Sequence, residues 1–349
     1  MSRLDPSSRP LAVRRATRRD SFGGHVSLPT RAPVTIRVIT ASAPARIDFA
    51  GGWTDVAPYT TEVGGAVCNV AIELRAVATV RAAELPVAPD DPLLRAAWQR
   101  SGMPAVSIGL TSDIPVGSGL GGSSAAGVAL AAALAAWQGQ RLSRQELAEL
   151  SRSTETETMG LAGGCQDHYA AAYGGALLLT CRAETVASPV WLTHVAVDEL
   201  ELRVLIAYTG ESRMSSNTIT SVMNSYRDKE AITSASLRTM ADLAPLMAEL
   251  LTMGDIDHLG ALVAAQWAAQ RALHPSITTP LIDRIVADAE MAGALGTKAL
   301  GASGGGCVLV VAARDRVAAV REAVAGHATM LPFRVARTGV QIHDTGDLH

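Results

Sequence analysis

Between Pro115 and Leu134 the chain reads PVGSGLGGSSAAGVALAAAL, a glycine- and serine-rich half followed by an alanine-rich one. Glycine gives up more backbone freedom on ordering than any other residue, whereas alanine and leucine are strong helix formers. The preceding AVSIGLTSDIP alternates apolar and polar residues and stops at Pro115, so it reads as a strand. A strand, a costly glycine loop and a helix in direct succession make physical sense as an anion holder. The start of a helix exposes backbone N–H groups and the positive end of its dipole. Glycines let that backbone approach a phosphate without a Cβ in the way. Pro115, Gly117, Ser118, Gly119, Leu120, Gly121, Gly122, Ser123 and Ser124 are the candidate lining, with the serine hydroxyls facing phosphate oxygens or a metal bound to them. The stretch is neither GxxxxGK[ST], since no lysine follows, nor GxGxxG with a later acid. Taken alone it reads equally as an ordinary loop, and its neighbours have to decide.

Residues 1–33 are rich in arginine, proline and serine without apolar period and are expected to be a disordered extension. RRATRRD is followed by DSFGG and not by an apolar core, so a secretion signal fits poorly; a basic tail touching anionic partners is the alternative. From Val34, VTIRVI, ARIDFA, GGAVCNVAI and LRAVATVRA carry strand signals. A helix is expected from Ser143 to Met159, opened by a capping box of Ser143 and Glu146. After the strands ALLLT and LRVLIAY come three helical stretches, then the glycine-rich GASGGG, the strand CVLVVAA and a last helix. The reading is α+β in two lobes: a β-rich one over 34–198 and a helix-rich one over 199–349, with the active site in the cleft.

A formal net charge of −3 gives no reason to expect nucleic acid or a membrane as partner, so small molecules are the expected clients. Cys68, Cys165, Cys181 and Cys307 are widely spaced and form no CxxC pair, which argues against a metal cluster or a disulfide framework and suits the cytoplasm. A homodimer is left open.

Three stretches then carry a resemblance. GSGLGGSSA after a strand-ending proline resembles the nucleotide loop of the GHMP superfamily of small-molecule kinases. APARIDFAGGWTDVAPY is similar to that family's first motif and TKALGASGGGCVLV to its third, in the same order. The resemblance runs from about Val34 to Ala325 and implies a two-lobed fold, with ATP and Mg²⁺ as cofactors. It implies that Asp167, in GGCQDHYAAAYGG, takes the proton from the acceptor hydroxyl or orients it. It also implies that Glu155 and Ser123 complete a Mg²⁺ shell, and that Arg46 balances charge beside the transferring phosphate and Asp167. Hard oxygen ligands, few of them from protein, suit Mg²⁺. Ser124 competes with Ser123, and Glu157 with Glu155. His168 reads as a neighbour of the site. Asp55, by resemblance a binder of sugar hydroxyls, can accept from two adjacent hydroxyls, with Trp53, Tyr59 and Gly164 around it; a structural Arg46–Asp55 bridge is the plainer reading. Gly301, Gly304 and Gly305 are expected to pass backbone close beneath the first glycine loop, where Ser303 is tolerable unless its φ must be positive.

The stretch YTGESRMSSNTI resembles the branch phosphorylating D-glycero-D-manno-heptose 7-phosphate at its anomeric carbon, where Arg213, Ser215 and Ser216 would bind the substrate phosphate. GGWTD, in contrast, resembles L-fucokinases, with the Trp53 indole as a plane for a sugar face. A sugar-phosphate kinase is therefore expected, with a free-sugar kinase of fucokinase or galactokinase type as the alternative. A non-catalytic nucleotide- or sugar-binding pseudokinase and an ATP-driven decarboxylase of the same fold are the readings from other classes.

Overall fold

The computed structural model describes residues 37–346 except Pro86, Pro104, Ala162 and 212–214, and omits the side chains of 215–217. The first sheet takes β1 (Val38–Ala50), β2 (Gly65–Ala82), β3 (Val106–Ser112), β4 (Ala176–Cys181) and β5 (Thr185–Val190), all antiparallel. The two stretches expected as successive strands, GGAVCNVAI and LRAVATVRA, form the single long β2. Two register shifts interrupt the β1–β2 ladder, at Pro44/Ala45 and at Asp48/Ala50. They bracket residues 45–48, and such irregularities re-aim side chains next to functional sites.

The short helix α1 (Tyr59–Glu62) and α2 (Pro92–Ser101) precede α3 (Gly122–Trp137), the helix that follows the glycine loop. Every residue of α3 from Ser124 to Ala135 is buried. That explains the alanine: a helix covered on all sides must be apolar all round, and small side chains let β1 and β2 approach it. The capping box forms at α4 (Arg144–Ser153), where Ser143 Oγ accepts from Glu146 N at 3.2 Å and Glu146 Oε2 from Ser143 N at 2.7 Å. The α-helix ends at Ser153, however, and continues as a π-helical turn, Thr154–Thr158. Thr154 and Thr156 donate their hydroxyls to the carbonyls of Leu150 and Arg152, which competes with the regular ladder.

Helices α5 (Gln166–Tyr173) and α6 (His194–Arg203) lead to the second sheet. Its first strand in the chain is β6 (Val204–Tyr208); the helices α7 (Ser215–Arg227), α8 (Ala231–Met253), α9 (Ile256–Ala272) and α10 (Pro280–Ala292) follow before its strands β7 (Ala294–Ala299) and β8 (Cys307–Ala312). After α11 (Val317–Ala325), β9 (Thr329–Leu331) completes the order β7-β8-β6-β9. The last strand, β10 (Gln341–Asp344), returns to the first sheet beside β1, where Asp344 pairs with Arg37 at 2.8 Å. The later half of the chain thus supplies elements to both sheets.

Candidate active site

The loop after β3 turns through Gly117, Gly119 and Gly121, all at positive φ, into the N-terminus of α3. No side chain caps that helix, so its first-turn N–H groups, which helix geometry leaves without intrahelical acceptors, face outward as donors. The loop holds its shape by leaning on the third glycine segment. Cys307 N donates to Ser118 O at 2.8 Å, and a Cβ on Gly119 would stand 2.6 Å from the Leu300 carbonyl. A Cβ on Gly301 would stand 3.0 Å from Gly119 Cα, so the expected close passage of the two loops is present. Gly304 and Gly305 share this turn. Ser303 does stand at φ 66°, and the buried Gln270 offsets the strain by donating to its hydroxyl at 3.0 Å.

Arg46 joins the loop to the carboxylate expected to do the chemistry. Its Nε and Nη2 both meet Asp167 Oδ1 at 2.6 Å, and its Nη1 donates to the Gly119 carbonyl at 2.6 Å. Its backbone N–H donates to Leu120 O at 3.0 Å. Burial opposes the Arg46 charge, yet Asp167 and Asp48 hold its pKa above the ordinary arginine value. Asp167 lies in the first turn of α5, with its side chain 26% exposed while that of Arg46 is 4% exposed. Its Oδ2 would lie 3.2 Å from a Cβ on Gly121, close against the start of α3. Among the described residues that oxygen has no protein hydrogen bond, so it faces the loop ready to accept.

Asp55 does not pair with Arg46. Its Oδ2 accepts from Gln166 N at 3.0 Å, and a Cβ on Gly164 would lie 1.9 Å from the same oxygen. Burial pushes its carboxyl up to about 6, with the nearby Asp167 charge acting in the same direction. The two glutamates separate cleanly. Glu155, on the π-turn, accepts from Ser123 Oγ at 2.5 Å and from Ser124 Oγ at 3.5 Å. Glu157 points to the surface near Arg100, 3.7 Å away. Burial would raise the Glu155 carboxyl, but hydrogen bonds from His168, Ser123 and Ser124 bring it below its ordinary value.

Trp53 is 5% exposed and, with Val56 and Tyr59, packs into the apolar cluster under the second sheet. The indole plane expected to meet a sugar is covered by protein. Tyr59 packs edge-on against Tyr226 at 5.3 Å and also lines a surface cavity of about 330 Å³ with Glu62 and Arg238. Arg213 and the side chains of Ser215 and Ser216 lie outside the described residues.

Sequence reasoning passed over Asp48 and Lys298, which form a sealed ion pair beneath the site; Lys298 Nζ also donates to Asp48 O at 2.8 Å. Lys298 and Arg46 draw the Asp48 carboxyl down against burial, and burial draws Lys298 down. Two signals were present. Asp48 is two residues from Arg46 on a strand, hence on the same face, and Lys298 is one of only two lysines in the chain.

Comparison with known proteins gives the family. Residues 91–175 match the GHMP kinases N terminal domain and 246–328 match the GHMP kinases C terminal domain. The chain is 30% identical over 245 residues to a mevalonate kinase of Thermococcus sibiricus, covering 68% of this chain and 69% of the relative. It is 25% identical over 301 residues to the D-glycero-alpha-D-manno-heptose 7-phosphate kinase of Campylobacter jejuni, covering 78% and 88%. It is also 25% identical over 331 residues to a bifunctional fucokinase/GDP-fucose pyrophosphorylase of Arabidopsis thaliana, covering 82% of this chain but about a third (31%) of that protein's length. Among solved structures, a D-glycero-D-manno-heptose 1-phosphate kinase from Bacteroides thetaiotaomicron shares the fold with a TM-score of 0.71 at 23% identity, over 87% of this chain and 98% of that one. The protein belongs to the GHMP kinases, ATP-dependent phosphotransferases acting on a hydroxyl acceptor.

The residues present fit a metal-bound nucleotide. Uncapped amides at α3 suit phosphate oxygens. Among the described residues no group of three or more His, Cys, Asp or Glu is arranged to hold a metal alone. The adjacent Ser123 and Glu155 oxygens instead suit Mg²⁺, which takes few protein ligands and completes its shell with water and phosphate. No helix among the described residues is long and apolar enough to cross a membrane.

Proposed function

We propose that this kinase transfers the γ-phosphoryl group of ATP to the anomeric hydroxyl of a sugar phosphate, with D-glycero-D-manno-heptose 7-phosphate as acceptor. The observation that carries the transfer is the Asp167 carboxylate, one oxygen locked by Arg46 and the other free against the start of α3. Asp167 accepts the hydroxyl proton as the acceptor oxygen bonds to phosphorus and the bond to ADP breaks. Arg46 fixes the direction of Asp167 and keeps positive charge beside the transferring group. The α3 amides hold the phosphates, and Asp55 accepts hydrogen bonds from sugar hydroxyls. Ser123 and Glu155 hold Mg²⁺, which when bound neutralises phosphate charge. Four buried free cysteines fit a reducing compartment such as the cytoplasm.

The heptose-phosphate reading is supported by a match covering 88% of the Campylobacter relative, against 31% of the bifunctional fucokinase. The burial of Trp53 takes support from a fucokinase-like grip on a free sugar. ADP release should be measured with Mg-ATP against heptose 7-phosphates, fucose, galactose and glucuronate. Turnover confined to the phosphorylated heptose is expected. Turnover with a free sugar alone replaces the acceptor, and ATP binding without any turnover points to a pseudokinase.

A further inference from the structure

The π-turn places Glu155 where the α-helical ladder is widened, and a carboxylate in such a turn needs an external anchor to keep one direction. His168 provides one. It follows Asp167 on α5, so a rotation of about 100° separates the two side chains. Asp167 meets Arg46, and His168 turns the other way, buried with 2% exposure. Its Nε2 lies 3.3 Å from Glu155 Oε2 and 3.3 Å from Ser124 Oγ, and its Nδ1 lies 2.9 Å from Ser151 Oγ. An ionised carboxylate only accepts, so Nε2 carries the proton, and in the neutral ring Nδ1 accepts from the Ser151 hydroxyl. Ser151 is itself sealed at 1% exposure, in space that exists because residue 127 is glycine: a Cβ there would lie 2.3 Å from Ser151 Oγ.

We propose that His168 is a positioning residue: a Ser151–His168–Glu155 relay clamps Glu155 Oε2 and so presents Oε1, beside Ser123, to the divalent cation of the nucleotide. The relay also separates the two serines. Exposed Ser123 stands on the ligand side, and buried Ser124 braces the clamp from behind. The inference rests on Glu155 as a metal-holding residue. Outer hydrogen bonds of this kind typically change metal affinity by about 10- to 100-fold when removed.

The test uses Mn²⁺ as probe, its free concentration read by electron paramagnetic resonance with the full chain and a non-hydrolysable ATP analogue. His168→Gln places an amide nitrogen where Nε2 stood, and His168→Asn places its amide where Nδ1 stood. The relay requires His168→Asn to weaken Mn²⁺ about 10-fold while His168→Gln stays within about 3-fold of the native chain. Equal affinities in the two variants, or an unchanged His168→Asn, overturn it. Glu155→Gln separates the layers: unchanged Mn²⁺ affinity there removes the metal role of Glu155 and the relay together. Loss in Glu155→Gln with none in His168→Asn removes the relay alone. The ¹⁵N spectrum of the unmodified protein needs no variant to fold. A proton on His168 Nε2 with Nδ1 bare supports the relay, and the opposite tautomer overturns it.

Discussion

Two carboxylate–cation pairs grow from one face of β1, two residues apart, and they differ in what surrounds them. Arg46 reaches Asp167, whose carboxylate is 26% exposed and keeps one oxygen without a protein partner. Asp48 meets Lys298 at 5% and 0% exposure, closed to solvent. Both pairs place a buried cation beside an aspartate, yet only the first leaves an acceptor facing the glycine loop. The difference teaches that the sign and spacing of charges do not identify a working group. Asp48 Oδ1 also has no hydrogen-bond partner among the described residues, but it is sealed in protein. What sets Asp167 apart is a free oxygen that a ligand can reach.

That contrast can be broken. Asp167→Asn keeps the shape and an acceptor for Arg46 but loses the base, and kcat is expected to fall by about 10²- to 10⁴-fold in a variant that still folds. Near-normal turnover in a folded variant would sink the role of Asp167. Lys298→Met should do the reverse, leaving Asp48 buried without its cation and destabilising the fold by about 3–5 kcal/mol in denaturant titrations. If Lys298→Met instead lowered kcat as far as Asp167→Asn at unchanged stability, the sealed pair would belong to the chemistry.

A third carboxylate sharpens the comparison, because Asp55 has no ion-pair partner among the described residues and burial pushes its carboxyl up to about 6. The unfolded chain releases this proton near pH 4, so between about 4 and 6 the folded state binds more protons. The unfavourable contribution therefore grows as pH rises through that window and is complete above it. Asp55→Asn should gain up to about 3 kcal/mol over the native chain at pH 7.5 and nothing at pH 4, while KM for the acceptor rises. An equal gain at both pH values would exclude titration of Asp55 as its source. The smallest effect belongs to Ser303. Ser303→Gly relieves the positive φ and gives up the bond from Gln270, so stability should move by less than about 1 kcal/mol. Ser303→Ala keeps the strain and loses the bond, and should be the less stable of the two by calorimetry.

Much of this was legible in the residues themselves. The glycine loop and its helix, the capping box at Ser143 and the third glycine segment announce themselves by local residue chemistry, although the loop takes its support from a segment about 180 residues further on. The π-turn was not legible, because Thr154 and Thr156 divert the ladder through hydroxyl bonds that periodicity does not register. Helices α2 and α6 lie between stronger strand signals and were passed over, and β10 takes its meaning from β1, some three hundred residues earlier. In the site, Arg46, Asp55, Glu155 and Asp167 were singled out in advance by their resemblance to motifs. The sealed pair and the histidine relay were not, since each joins residues from separate elements through burial that no single stretch encodes.

The lean of the Gly117–Gly121 loop on Gly301 and Cys307 has a consequence during synthesis. The loop proposed to hold nucleotide leaves the ribosome about 180 residues ahead of the backbone that supports it. A nascent chain halted after β6 carries the whole nucleotide signature and still lacks its floor. On the proposed nucleotide role of the loop, ATP can therefore report the emergence of the third glycine segment, gripping the chain only once that floor is in place.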